Sequence, residues 1–161
     1  MDLVIRTASI KDSNVLTDIS FASKRYWNYP EEYFTVWQDE LTITPAYIQN
    51  NSIFVAEKEG LVIGYFSLVE VKNDFWLEHI FVLPEYIGKG IGSRLIAMLK
   101  KKCKELAVDK VYIFSDPNAK GFYNKVGACY IGESPSSIEG RTVALYELNI
   151  EDGANESMHA N

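Results

Sequence analysis

Gly88, Gly90 and Gly92 stand at alternate positions in "FVLPEYIGKGIGSRL", between a β-like run and a long amphipathic helix. Free N–H groups at a helix start carry the positive end of its dipole. A strand, a glycine-rich turn and a helix, in that order, therefore make a seat for a phosphate or pyrophosphate. Missing β-carbons let an anion reach the amides of Gly88, Lys89, Gly90, Ile91, Gly92 and Ser93, so the glycines are better explained by a ligand than by turn geometry alone. Groups able to move protons flank this turn. Tyr123 carries a phenol that is protonated at neutral pH and can donate, whereas Glu78 and His79 can accept. Successive strand residues face opposite sides, so only one of Glu78 and His79 is expected to face the cleft unless a bulge intervenes. A glutamate in so apolar a strand is costly to bury without a purpose. In "KRYWNYP", Trp27 and Tyr29 offer ring faces that could wall a pocket for an amine.

The elements that must position these groups are set by periodicity. "LVIRTA" reads as a short strand, and Asp12 or Ser13 caps a helix running toward Lys24. "PEEYFTVWQDEL" is a second helix with Glu31 and Glu32 in its first turn, and "TPAYIQN" a third, capped by Thr44. "SIFVAEKE", "LVIGYFSLVEV" and "FWLEHIFVL" form an antiparallel meander joined at Glu59-Gly60 and Lys72-Asn73-Asp74. The last run is apolar on both faces and is expected to be a central strand covered from both sides. The helix after the glycine turn places Ile91, Leu95, Met98, Leu99 and Leu106 near one face. "KVYIFS" is a strand, "PNAKGFYNKVG" a helix begun by Pro117 and ended by Gly127, and "ACYIGE" and "RTVALYELNI" complete the sheet. "SSIEGR" is expected to be a flexible loop, with Arg141 a candidate contact for an acceptor or a partner. One domain is expected over 1–150, and a frayed tail over 151–161.

The composition narrows the classes. At 161 residues, 47% hydrophobic and 24% charged, the chain suits one globular domain. A net charge of −6 argues against generic nucleic-acid binding and mildly favours a cationic substrate. No apolar run approaches the ~18 residues of a membrane span, and the first residues do not read as a secretory signal. Cys103 and Cys129 are the only cysteines, which suits a reducing cytoplasm and core or semi-buried thiols, with no metal site.

Three phosphate-binding schemes remain for the turn. A Walker A loop needs Lys and Ser/Thr after its last glycine, and Ser93-Arg94 stands there instead. A dinucleotide fingerprint needs a parallel βαβ unit, and the preceding strands read as antiparallel. The third scheme is the pyrophosphate arm of coenzyme A. Here the sequence resembles the GNAT superfamily of acyl-CoA-dependent N-acetyltransferases, over roughly Ile53 to Ile150. The motif Gln/Arg-x-x-Gly-x-Gly/Ala falls on "IGKGIG", with Ile87 in place of the usual Gln or Arg. A second signature falls on "NAKGFY", Asn118 to Tyr123.

The resemblance implies an α/β (α+β) single-domain fold with a mixed, mostly antiparallel central sheet flanked by helices. It implies acetyl-CoA as cosubstrate, main-chain groups of Phe81 and Val82 along its pantetheine arm, the amides from Ile87 to Ser93 on its pyrophosphate, and Asn118 hydrogen-bonded to it. Tyr123 becomes the acid for the departing thiolate, and Glu78, His79 or a water the base. The acceptor is a small-molecule or peptide amine near Trp27, Tyr29 and Glu78, without an acyl-enzyme. A homodimer is compatible with the resemblance. A non-catalytic acyl-CoA sensor and a dinucleotide-binding oxidoreductase stay open as alternatives.

Overall fold

The computed structural model describes residues 2–150, so the tail expected over 151–161 lies outside the described residues. Seven strands form one sheet: β1 (Leu3–Thr7), β2 (Ser52–Lys58), β3 (Leu61–Val71), β4 (Asp74–Val82), β5 (Lys110–Ser115), β6 (Cys129–Pro135) and β7 (Thr142–Asn149). The helices are α1 (Ser13–Arg25), α2 (Glu31–Leu41), α3 (Pro45–Asn50), α4 (Ile91–Glu105) and α5 (Lys120–Lys125). The strand order is β1-β2-β3-β4-β5-β7-β6, and only β4 and β5 run parallel, joined by the α4 crossover. This is the mixed, mostly antiparallel sheet expected from the sequence.

Both faces of the sheet are covered near β3. Ile63, Phe66 and Leu68 of β3 pack with Leu95 and Leu99 of α4. Val62 and Tyr65 turn the other way, onto Leu16 and Ile19 of α1 and Ile48 of α3. The strand covered from both sides is thus β3, not β4 as its composition suggested. In β4 only Leu77 is buried, because half of that strand borders a cleft. Two-residue turns close the meander, with φ of 52° and 80° at Glu59-Gly60 and 52° and 72° at Lys72-Asn73. Such turns match the twist of the strands they join.

Four further expectations are corrected in detail. On α4 the buried stripe is Ile91, Leu95, Ile96, Leu99 and Cys103, whereas Leu106, past the helix end, is exposed. Cys129 is exposed, not semi-buried. The Pro117 segment is a 3-10 turn, Pro117–Ala119, that leads into the short α5. The loop from Ser136 to Arg141 is pinned. Ile138 is buried against Phe34, Trp37 and Leu41, Ser136 N–H donates to the Arg141 carbonyl at 2.9 Å, and Arg141 N–H donates to the Ile138 carbonyl at 3.1 Å.

Gly64 on β3 fixes how closely β4 approaches. A Cβ there would lie 2.9 Å from the Phe81 carbonyl oxygen and 3.4 Å from the Val82 Cα. Backbone cannot rotate away as a side chain can, so Gly64→Ala is expected to destabilise by about 1–3 kcal/mol, the usual scale of overpacking. Denaturant unfolding of the variant against wild type checks this, and an unchanged midpoint would contradict it.

Candidate active site

The parallel pairing of β4 with β5 is confined to Trp76–Tyr112 and Leu77–Ile113. Past Leu77 the strands part, while β4 keeps β3 as its neighbour through Val82. The β4 edge from Glu78 to Val82 therefore faces a cleft of about 840 Å³ instead of a strand. Such an edge offers backbone groups to an extended ligand. Phe81 and Val82 lie on it; the pairing of Phe81 with Tyr65 directs its backbone groups to β3, and the Val82 carbonyl accepts from Ser23 Oγ at 3.0 Å.

The glycine turn opens α4. Gly88 and Gly90 have φ of +82° and +80°, and Gly90 is the N-cap, with no side chain capping the helix. The first N–H returned to the helix is that of Arg94, to the Gly90 carbonyl. The N–H groups of Gly88, Lys89, Gly90, Ile91, Gly92 and Ser93 thus have no partner among the described residues. The glycines nevertheless have reasons of their own. Positive φ disfavours any other residue at Gly88 and Gly90. At Gly92 a Cβ would meet the Phe122 ring at 2.8 Å, so that glycine serves α4–α5 packing. Turn geometry and packing therefore account for the pattern by themselves, and what points to an anion is the run of open amides. Ile87, exposed and lining the cleft, adds no side-chain donor.

Both Glu78 and His79 line the cleft, because a bulge does intervene: Ser67 pairs with His79 and Leu68 with Leu77, leaving Glu78 unpaired. The Glu78 side chain is 46% exposed, so the expected cost of burying it does not arise. The Tyr47 hydroxyl donates to Glu78 Oε1 and lies 2.8 Å from Ser67 Oγ, which accepts the His79 N–H at 3.1 Å. One hydroxyl carries one proton, so Ser67 donates to Tyr47 and Tyr47 to the carboxylate. Burial, and then Glu78, push the Tyr47 pKa up, keeping that donor protonated. His79 stacks on Phe81 with centroids 5.5 Å apart. Burial holds its pKa well below the ordinary histidine value against the pull of Glu78, so the ring is neutral.

On the opposite wall Tyr123 is buried against Phe122 and Tyr146 and lines the cleft. Burial first, and the charge of Asp116 second, raise its pKa well above the ordinary phenol value. A phenol so placed stays protonated and acts as a hydrogen-bond donor to developing charge. Asn118 spends both Nδ2 hydrogens within the protein, on Tyr29 Oη at 2.9 Å and Asp116 Oδ1 at 3.0 Å, leaving its carbonyl free. Asp116 also pairs with Lys24 Nζ at 2.7 Å and accepts from Tyr29. Burial would raise the Asp116 pKa, but the Lys24 charge and these donors hold it below the usual carboxylate range. Trp27 lines the cleft, and Tyr29 sits in this network. Tyr47, Ser67, Lys24 and Asp116 were not singled out from sequence. The Thr44 cap and the apolar β3 run signal their elements but not their meeting.

A splayed sheet, open amides at α4 and a carboxylate and phenol on facing walls agree with a sequence comparison. The model of the Acetyltransferase (GNAT) family matches residues 18–128. The chain belongs to the GNAT family. It is 28% identical over 102 residues to a peptidyl-lysine N-acetyltransferase of Escherichia coli, covering 63% of this chain and 66% of that protein. It is 46% identical over 52 residues to a bovine thialysine N-epsilon-acetyltransferase, covering 32% of this chain and 28% of that one. The chain thus spans less than two thirds of the length of these curated relatives. Among solved structures, the PaiA N-acetyltransferase of Thermoplasma acidophilum, in complex with coenzyme A, superposes with a TM-score of 0.79 at 21% identity, over 92% of this chain and 99% of that one. A GCN5-related N-acetyltransferase of Rhodopseudomonas palustris gives 0.77 at 23%, over 91% and 94%. These two similarities establish the fold.

The neutral His79 links stability to pH. Its folded pKa lies below the unfolded value of about 6.5, so below that pH the unfolded chain binds a proton the folded ring refuses. The stability this confers is present above pH ~6.5 and is lost as the pH falls toward the folded pKa. His79→Gln is expected to show a smaller drop in melting temperature than wild type between pH 7 and pH 5. Parallel melting curves over that range check it, and equal drops would contradict it.

Proposed function

We propose that this GNAT chain transfers the acetyl group of acetyl-CoA to a primary amine by direct attack, without an acyl-enzyme. The observation that carries this reading is the run of open amides from Gly88 to Ser93, next to a cleft that also contains the free β4 edge, Glu78 and Tyr123. The residues fit the coenzyme. A Cβ built at Gly88 or Gly90 meets nothing within 4 Å, so the concave face of the turn is open to a pyrophosphate. Ile87 contributes only backbone to that seat, and the β4 edge from Glu78 to Val82 holds the pantetheine arm.

Bound acetyl-CoA supplies an activated thioester. Glu78, held by Tyr47, accepts the amine's proton directly or through one ordered water. His79 is a poor base here because burial opposes its charged form; it packs beneath the site. Tyr123 donates a hydrogen bond to the departing sulfur. With its pKa raised above that of a thiol, near ~8.5, complete proton transfer is uphill, so its contribution is charge stabilisation. Asn118 offers its carbonyl to the coenzyme, and Trp27 and Tyr29 border the acceptor. The same activity in relatives of known name, which act on lysine or thialysine amines, supports this reading.

Titration calorimetry with acetyl-CoA, with NADH and ATP as controls, tests it together with an amine screen. Acetyl-CoA is expected to bind selectively. Glu78→Gln is expected to keep that binding and lose about 10²–10⁴-fold in kcat, the range for a general base. Selective binding without turnover of any amine would favour a non-catalytic acyl-CoA sensor. No binding would sink both readings.

A further inference from the structure

The cations in and around the cleft are unequally satisfied. Lys24 is neutralised by Asp116 at 2.7 Å. Arg25 pairs with Glu31 and rests on the Phe34 ring at 4.2 Å. Arg141 lines the cleft and forms no ion pair among the described residues; the Tyr29 hydroxyl is within its hydrogen-bonding reach, which leaves most of its N–H donors free. Its guanidinium carbon lies 5.3 Å from the Tyr29 ring centre and 5.5 Å from that of Tyr33. Ring contacts engage the face of a guanidinium, and a bond to Tyr29 leaves the other N–H donors of its fork unspent. The loop that carries it is locked by Ser136 and anchored by Ile138, so the fork is held in place before any ligand arrives.

A positioned, unpaired guanidinium edge matches a carboxylate in bidentate geometry. Glu78, Asp39 and Glu40 line the same cleft and supply negative charge, which suits the amine end of an acceptor. The cleft is lined by residues of α1 and α2, the pinned loop, Tyr47 and β4. We infer that the acceptor is a small amino acid, whose carboxylate is bound by Arg141 while its amine is presented to Glu78. This deepens the acetyltransferase reading and rests on it for the reaction, but not for the binding.

The test uses matched pairs that differ only by the carboxylate: lysine and cadaverine, ornithine and putrescine, alanine and ethylamine. Binding of each to the full chain is measured by ligand-observed NMR without acetyl-CoA, and kcat/KM with it. For at least one pair the acid is expected to exceed the amine by about 10–100-fold, the scale of a charged hydrogen-bonded contact. In Arg141→Gln that ratio is expected to fall toward one, and in Arg141→Lys to fall only in part. Arg141-dependent preference in binding without turnover would overturn the acetyltransferase reading, and with it the acceptor role, while upholding the binding of an amino-acid carboxylate by Arg141. Amines that bind as well as their acids, a ratio unmoved by Arg141→Gln, or preferred turnover of lysine-containing peptides with no effect at Arg141, would overturn the inference.

Discussion

Everything in this molecule follows from the point at which β4 and β5 stop pairing. Two residue pairs, Trp76–Tyr112 and Leu77–Ile113, hold the parallel contact, and beyond them the sheet opens while remaining continuous through β3. A sheet that closed fully would satisfy the β4 backbone and leave no cleft. One that parted earlier would lose the link between its meander half and its C-terminal half. The α4 crossover makes the short contact sufficient, since it leaves the end of β4, packs across Leu77, Val111 and Ile113, and returns the chain to β5. The helix that bridges the gap thus also starts at the gap, which is why its unpartnered amides lie beside the open strand edge.

The two walls are held apart by polar pairing as much as by packing. Lys24 at the end of α1 reaches Asp116 just after β5, and Tyr29 and Asn118 converge on the same carboxylate. This pair is largely shielded, with side chains 18% and 20% exposed, so removing one partner would strand the other rather than forfeit a surface contact. Ser23, one residue before Lys24, bonds the Val82 carbonyl. The end of α1 therefore touches both strands at their divergence and sets its width.

Elements were far more legible in the sequence than encounters between them. The cap at Thr44, the two short turns of the meander and the Gly127 stop all sit where local chemistry puts them, because each depends on neighbours a few residues away. Asp12, expected as a cap, makes no side-chain bond to the start of α1 and instead pairs with Arg6 at 2.9 Å and accepts from the Ser9 N–H. Misreadings arose where distant residues decide. Composition made β4 look doubly covered, but coverage depends on whether β5 stays paired. The glycines looked like a ligand's imprint, yet Gly92 is explained by Phe122, thirty positions away in the chain and 2.8 Å from its missing Cβ. Polar letters made Ser136 to Arg141 look mobile, and one buried isoleucine among them anchors the loop to α2. The bulge that turns Glu78 into the cleft left no mark on β4 at all. It is a mismatch of pairing with Ser67 and Leu68 on another strand.

That division bears on where specificity resides. The family match ends at residue 128 and so contains the glycine turn, the β4 edge and Tyr123, the parts proposed for the coenzyme. Arg141 and the loop that holds it lie outside the match, on a segment fixed by contacts with α2. A coenzyme is the same molecule for every enzyme that uses it, so backbone amides and a strand edge, which hardly depend on side chains, can bind it. An acceptor differs from one enzyme to the next and must be read by side chains. Tyr29, just before α2, and Tyr33 within it contact the Arg141 guanidinium, and Trp37 with Phe34 buries the isoleucine of the same loop.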